Sequence, residues 1–190
     1  TEFDKEKEEE IFVGGGSGII IDSELIATNC HVALTADEGF DRLIWIKNLS
    51  ADDWSLAVIH KKDPGKDVCI IRHTPIQTFK IRMTPVKKFK KFDNLRQGDF
   101  VRSMGTPDGI EGHTDQGSIN FLGTAEDAHI TTELLSKNTR IILHDAIINP
   151  GSSGGPLFDK NGYLIGLNTL AKEKYSISVS SDHIKDLWRN

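Results

Sequence analysis

Short runs of β-branched and aromatic residues recur roughly every 10 to 20 positions along this chain, each bounded by Gly, Pro, Asn or Asp. The runs that read as strands are Ser17–Asp22, Leu25–Thr28, Arg42–Lys47, Trp54–His60, Asp67–Arg72, Asp99–Met104, Gln116–Leu122, Arg140–His144, Pro156–Asp159, Leu164–Asn168 and Tyr175–Val179. That rhythm leaves no room for the crossover helices of a parallel sheet, so it predicts an all-β, antiparallel architecture. Only Ser181 to Trp188 is helical in character. Ser181 or Asp182 would cap it, and Ile184, Leu187 and Trp188 would share one face. No repeat of solenoid period is visible. The polar, proline-marked segment from Thr84 to Asn94 divides the strands into two groups of similar size. The expected organisation is a flexible acidic leader over 1–10, an N-terminal β-barrel over 11–90, and a C-terminal β-barrel over 91–190 that ends in the short helix. A cleft between two such units is where ligand sites tend to lie.

Composition narrows the function classes. The chain has 190 residues, 37% hydrophobic and 27% charged, which suits a globular protein with one large or two small cores. No apolar run approaches the ~20 residues of a membrane-spanning helix, so no membrane span is expected. No charged n-region with an apolar h-region opens the sequence, so a signal peptide is absent or removed. A net charge of −5 argues against nucleic acid as the main partner. The one basic cluster, Lys87-Lys88-Phe89-Lys90-Lys91-Phe92, reads as a solvated edge with both phenylalanines turned inward, the alternative being a phosphate- or base-stacking role. Cys30 and Cys69 are too few for a disulfide scaffold; they either pair in an oxidising compartment or stay two small buried thiols.

The chemistry concentrates in Asn149-Pro150-Gly151-Ser152-Ser153-Gly154-Gly155-Pro156-Leu157. Glycines and proline around the serines demand a sharply turned, bare backbone. A hydroxyl mounted there beside free N–H groups is what an acyl-transfer nucleophile needs. By itself the stretch is equally a glycine-rich turn between strands. A serine nucleophile requires a base, usually imidazole, and His31 follows the apolar strand Leu25–Thr28 directly, a rigid mount at a barrel edge. The imidazole requires a carboxylate to fix its tautomer. Asp67 opens the apolar run Val68-Cys69-Ile70-Ile71, whereas its competitor Asp63 sits in the solvated turn Asp63-Pro64-Gly65. The chain order His31, Asp67, Ser153 is that of one known class of Ser-His-Asp site, and it coincides with the two-barrel reading.

With these residues in view, the chain resembles the trypsin-like serine proteases, and more closely their HtrA/Deg branch. The matching stretches are Gly16-Ser17-Gly18-Ile19-Ile20-Ile21-Asp22, Thr28-Asn29-Cys30-His31-Val32, Asp63 through Ile71, Gly105-Thr106-Pro107, Asp145 through Leu157, and Ile165-Gly166-Leu167-Asn168-Thr169. They follow the family order from Gly14 to about His183. The resemblance implies two packed six-stranded barrels and a serine endopeptidase acting on unfolded or extended polypeptides, with Ser153 as nucleophile, His31 as base and acid, and Asp67 as the orienting carboxylate. It also implies an oxyanion hole from the N–H groups of Gly151 and Ser153, and a primary specificity pocket based on Ile147 and walled near Asn168, Thr169 and Leu170. An apolar Ile147 implies small or medium aliphatic side chains rather than Lys or Arg. No cofactor and no metal are expected. Trimeric assembly, protein quality control and a periplasmic or secreted location are further implications of the resemblance.

Departures bear on this reading. Ser152 stands where the family usually has Asn, and Cys30 stands beside the base where Asn or Ala is more usual. The acidic residues before Ile11-Phe12-Val13-Gly14-Gly15 resemble a zymogen activation site, but Ser152 has no charge to pair with a freed ammonium. Ile11 to Val13 is therefore read as the first strand. The Gly14-Gly15-Gly16 run lacks the Gly-Lys-Ser/Thr ending of a phosphate loop, and no His-Glu-x-x-His is present. An α/β-hydrolase needs alternating helices and a Ser–Asp–His order, which the chain lacks. The alternative of a different class is a catalytically latent or inactive trypsin-like domain that serves as a peptide-binding module.

Overall fold

The structure, a computed structural model, describes residues 2–4, 9–11, 14–34, 44–48, 54–74, 84–172 and 174–189. Two strands near the N-terminus, β1 (Glu2–Asp4) and β2 (Glu9–Ile11), pair antiparallel with Glu2 opposite Ile11. An unstructured leader was expected there. Instead, backbone pairing joins residues 2–4 and 9–11 in a ribbon, although two strands alone are marginal in water. Ile11 belongs to that ribbon and not to the first large sheet; Phe12 and Val13 lie outside the described residues.

The first large sheet comprises β3 (Ile19–Ile20), β4 (Leu25–Thr28), β5 (Ile44–Lys47), β6 (Trp54–Asp63) and β7 (Val68–Thr74), in the order β3-β4-β7-β6-β5. All pairs are antiparallel. Arg42 and Leu43 fall outside the described residues, so β5 is seen from Ile44. The second sheet comprises β8 (Phe100–Gly105), β9 (His113–Thr124), β10 (Arg140–His144), β11 (Pro156–Asp159), β12 (Leu164–Lys172) and β13 (Tyr175–Ser180). It closes on itself as β10-β13-β12-β11-β8-β9, the six-stranded barrel expected for the C-terminal half. The N-terminal half departs from that expectation: among the described residues it is an open five-stranded sheet, because neither β3 nor β5 finds a further strand on its free edge.

The alternation of buried and exposed residues explains these strands. Along β6, Ser55 and Ala57 are buried while Trp54, Val58 and His60 are exposed. In contrast, β12 is buried continuously from Leu164 to Thr169, as befits a strand covered on both faces. One apolar cluster joins the two sheets: Ile19, Ala27, Val68 and Ile70 from the first pack with Ile141, Leu164, Leu167, Ile177 and Val179 from the second. That shared core is what fixes one sheet against the other. A short helix α1 (Cys30–Ala33) follows β4, and α2 (Ser181–Arg189) closes the chain. Ile184 of α2 is fully buried and Leu187 and Trp188 pack on the same cluster, the shared face expected from their spacing.

In the basic segment, Phe89 and Phe92 are turned toward apolar clusters while Lys87, Lys88 and Lys91 are exposed. Phe89 forms a parallel bridge with Leu164 at the start of β12.

Candidate active site

His31 rides on α1, which begins where β4 ends. Thr28 of β4 pairs with Cys69 of β7, and a disulfide between Cys30 and Cys69, with Cα atoms 4.9 Å apart, ties the same two segments again. Of the two fates left open for these cysteines, the structure shows the pair. Asp67 precedes β7, just after the one-turn 3-10 helix Pro64–Lys66, with φ 53 and ψ 39. This left-handed backbone is unusual for a residue with a side chain and costs roughly 1 kcal/mol or more. It turns the carboxylate onto His31. Oδ2 lies 2.7 Å from His31 Nδ1, and Oδ1 accepts the His31 backbone N–H at 2.9 Å. Asp67 is 1% exposed, and a buried carboxylate is tolerable only with such donors. Asp63 is partly exposed and paired with Lys66 at 2.8 Å, well apart in role from the His31 partner.

The serine loop is shaped by glycines where nothing else fits. Gly151 has φ +96, and a Cβ there would strike the Thr106 carbonyl; Gly154 has φ +87, and a Cβ there would strike the Ser17 carbonyl and the Thr28 hydroxyl. Within the loop, Ser152 N–H donates to Asn149 O at 2.8 Å and Gly155 N–H to Ser152 O at 3.0 Å. Toward β12, Gly154 N–H donates to Asn168 O at 2.8 Å and Asn168 N–H to Gly155 O at 2.9 Å. Among the described residues, neither the Gly151 nor the Ser153 backbone N–H has an acceptor. Ser152 is buried and uncharged, and its Oγ accepts the Asn149 N–H at 3.4 Å.

Ser17, on the strand-entry loop of the first sheet, clamps this loop. Its N–H donates to Ser153 O at 2.7 Å and its Oγ donates to Gly151 O at 2.8 Å while accepting Thr106 N–H at 3.0 Å. Thr28 Oγ1 donates to the Ser17 carbonyl at 2.7 Å. Asn29 makes a second bridge, its Nδ2 donating to Asp67 O at 2.9 Å and to Thr169 Oγ1 at 3.1 Å. In the sequence, Gly16-Ser17-Gly18 and Thr28-Asn29 stand out only as matches to a family, and nothing local marks a task for these side chains. The available signal was a hydroxyl fixed between two glycines.

The β12 register shifts between Asn168 and Leu170, so Thr169 sits at a bulge, a device often found beside active sites. Its freed carbonyl accepts the Ser153 hydroxyl at 3.2 Å. Among the described residues, no hydrogen bond links Ser153 Oγ to His31. Asn168 is fully buried: Nδ2 donates to Ser103 Oγ at 3.0 Å and Met104 O at 3.1 Å, and Oδ1 accepts Ser178 Oγ at 3.0 Å. Its side chain is therefore committed to holding strands together. Thr169 is buried likewise, and Leu170 packs on the shared core. Ile147 is 60% exposed, and its N–H donates to the Asp115 carboxylate. The structure thus joins His31 to Asp67 and holds Gly151 and Ser153 against Ser17, and of the expected pocket residues the Thr169 carbonyl is the one hydrogen-bonded to the Ser153 hydroxyl.

Comparison with known proteins follows this geometry. The sequence profile of the trypsin-like peptidase domain matches residues 16–167. Bovine (Bos taurus) mitochondrial serine protease HTRA2 is 31% identical over 179 residues, covering 93% of this chain and 36% of that protein. A probable periplasmic serine endoprotease, DegP-like, from Pseudomonas fluorescens is 33% identical over 156 residues, covering 81% of this chain and 29% of that one. The solved structure of the HtrA-type protease AlgW with a decapeptide superposes with a TM-score of 0.73 at 25% identity, covering 92% of this chain and 50% of that one. The chain spans about a third of the length of these curated relatives. With the barrel, the serine loop and the aspartate-bound histidine all falling inside the matched span, the chain belongs to the trypsin-like peptidase family.

Proposed function

We propose that this chain is a serine endopeptidase domain that hydrolyses peptide bonds of extended polypeptides through Ser153, His31 and Asp67. The observation that carries the reading is the 2.7 Å contact between His31 Nδ1 and a carboxylate that is 1% exposed. Asp67 holds the Nδ1–H tautomer, leaving Nε2 to take a proton. Ser153 Oγ attacks the scissile carbonyl carbon and its proton passes to His31 Nε2. The oxyanion forms opposite the unpartnered N–H groups of Gly151 and Ser153, and each such donor is worth about 3 kcal/mol of barrier. The C–N bond then breaks, His31 returns the proton to the leaving amine, and an ester remains on Ser153. Water, deprotonated by His31, attacks that ester and releases the carboxylic acid and the free serine.

The test is hydrolysis of an unfolded protein such as reduced casein by the chain and by Ser153→Ala. Cleavage by the first alone supports the reading, and equal cleavage by both refutes it. Exposed, apolar Ile147 supports a preference for aliphatic residues before the scissile bond, and peptide libraries cut mainly after Lys or Arg would refute that. A disulfide beside the base supports an oxidising compartment such as the cell envelope, in keeping with the periplasmic location in the name of the Pseudomonas relative.

A second reading rests on one observation, the Ser153 hydroxyl donating to Thr169 O rather than to His31. In this reading the domain is latent: the serine is parked on the bulge and binding of a peptide must rotate it toward the imidazole. A lag in hydrolysis that a pre-bound, uncleaved peptide removes would distinguish latency from a constitutively active site.

A further inference from the structure

A cavity of about 450 Å³ lies far from Ser153, between the basic segment and the last turns of α2. It is lined by Val86 to Phe89 of the basic segment, by Lys185, Trp188 and Arg189 of α2, and by Tyr163. Phe89 pairs with Leu164, five residues before Thr169 on β12, which places the cavity about 17 Å along the strand from the serine loop. Its size is that of a ligand site.

Its charge is what singles it out. The chain carries 28 acidic and 23 basic side chains, yet no carboxylate lines this cavity. Among the described residues, none of Lys87, Lys88, Lys185 and Arg189 is paired with a carboxylate, whereas nearby Lys90 is held by Asp99 and Asp159. Lys88 lies 5.3 Å from the centroid of the Tyr163 ring and Lys185 4.9 Å from that of Phe89, so two ammonium groups are steered by aromatic faces instead of anions. At the negative end of α2, Lys61 donates to the Trp188 carbonyl at 3.1 Å.

We propose that this cavity is a second binding site, distinct from the serine loop, for an acidic polypeptide segment carrying three or four carboxylates. The number of uncompensated cations sets the number of carboxylates. Trp188 and the exposed edge of Tyr163 offer apolar surface for a side chain between them. A long polyanion such as nucleic acid is disfavoured, since beyond this small cavity it would meet a protein of net charge −5.

The experiment is fluorescence anisotropy of a fluorescein-labelled peptide with four glutamates around one tyrosine, titrated with the full chain at low salt. Saturable binding is expected, weakened by 0.3 M NaCl and by about tenfold or more in Lys88→Glu/Lys185→Glu. Arg189→Glu, at an exposed side chain, gives a second variant in which binding should also weaken, with folding checked by circular dichroism. Absence of binding to the unmodified chain, or equal affinity in both variants, overturns the proposal. So does tighter, variant-sensitive binding of an oligothymidylate or of phosphatidylglycerol vesicles than of the peptide. None of these readings depends on hydrolysis by Ser153.

Discussion

Asp67 shows how a single residue commits both its backbone and its side chain to one neighbour. The left-handed φ and ψ are held because the two carboxylate oxygens meet the only two N–H groups that His31 presents on that side. Asp67→Asn preserves the shape but sets an amide donor against those N–H groups and selects the wrong tautomer. Turnover should fall about 10⁴-fold with KM little changed, measured by steady-state peptide hydrolysis. Ser17 is hydrogen-bonded to the serine loop. Ser17→Ala removes the Oγ bonds to Gly151 and Thr106 and should destabilise by about 1 kcal/mol per lost bond, seen as a lower urea midpoint. The pairing of His31 with Asp67 and the turned backbone around Ser153 were legible in the sequence because each sits in a distinctive local context. The task of Ser17 was not, because its partner Gly151 is 134 residues away and only the packed fold brings them together.

At the scale of elements, the strand rhythm was readable because alternation and turn residues are local. The runs at Leu25–Thr28, Arg140–His144 and Pro156–Asp159 coincide with β4, β10 and β11, and β6 merely continues three residues past His60. The short α1 was not anticipated, nor was the β12 bulge that frees the Thr169 carbonyl. A register shift depends on the partner strand, and neither has a signature within one segment. Two buried histidines give the elements around them a pH dependence. His144 of β10 is pushed down to about 4 by burial, against weaker opposition from the Ala146 backbone and then from Asp145 and Asp115. His183 of α2 is pushed down to about 4, first by burial and then by Lys66 and Arg140, with Asp186 and Asp63 opposing; its Nε2 accepts the Arg140 N–H. The folded chain therefore resists protons that the unfolded chain takes up below its ordinary imidazole pKa of 6.5. The stability is fully present above about pH 6.5 and is lost as pH falls toward 4, by up to about 3 kcal/mol for each imidazole. Urea midpoints at pH 7.5 and 4.5 check this: His183→Gln, which keeps an acceptor, should show the smaller drop, and identical drops would contradict it.

For the whole molecule, the decisive feature is that one active-site candidate is assembled from two sheets. His31 and Asp67 come from the five-stranded sheet and Ser153 from the closed barrel, with Ser17 and Asn29 as the hydrogen-bonded bridges and a continuous apolar core beneath. The sequence carried the two-part division through its polar segment from Thr84 to Asn94. It could not carry the open edges that the first sheet shows among the described residues, because closure depends on long-range edge pairing. The Cys30–Cys69 disulfide closes a loop of sequence separation 39, for which loop-closure entropy gives about 4 kcal/mol. Thiol reduction or Cys30→Ala/Cys69→Ala should therefore lower stability by roughly 2–4 kcal/mol in urea unfolding. The central claim is that His31 activates Ser153 across the interface between the sheets, and covalent labelling with a fluorophosphonate, read as intact mass, tests it most directly. The account predicts one adduct on the unmodified chain, none on Ser153→Ala, and strongly slowed labelling of His31→Ala. An adduct that persists in Ser153→Ala, or labelling unaffected by loss of His31, would contradict it.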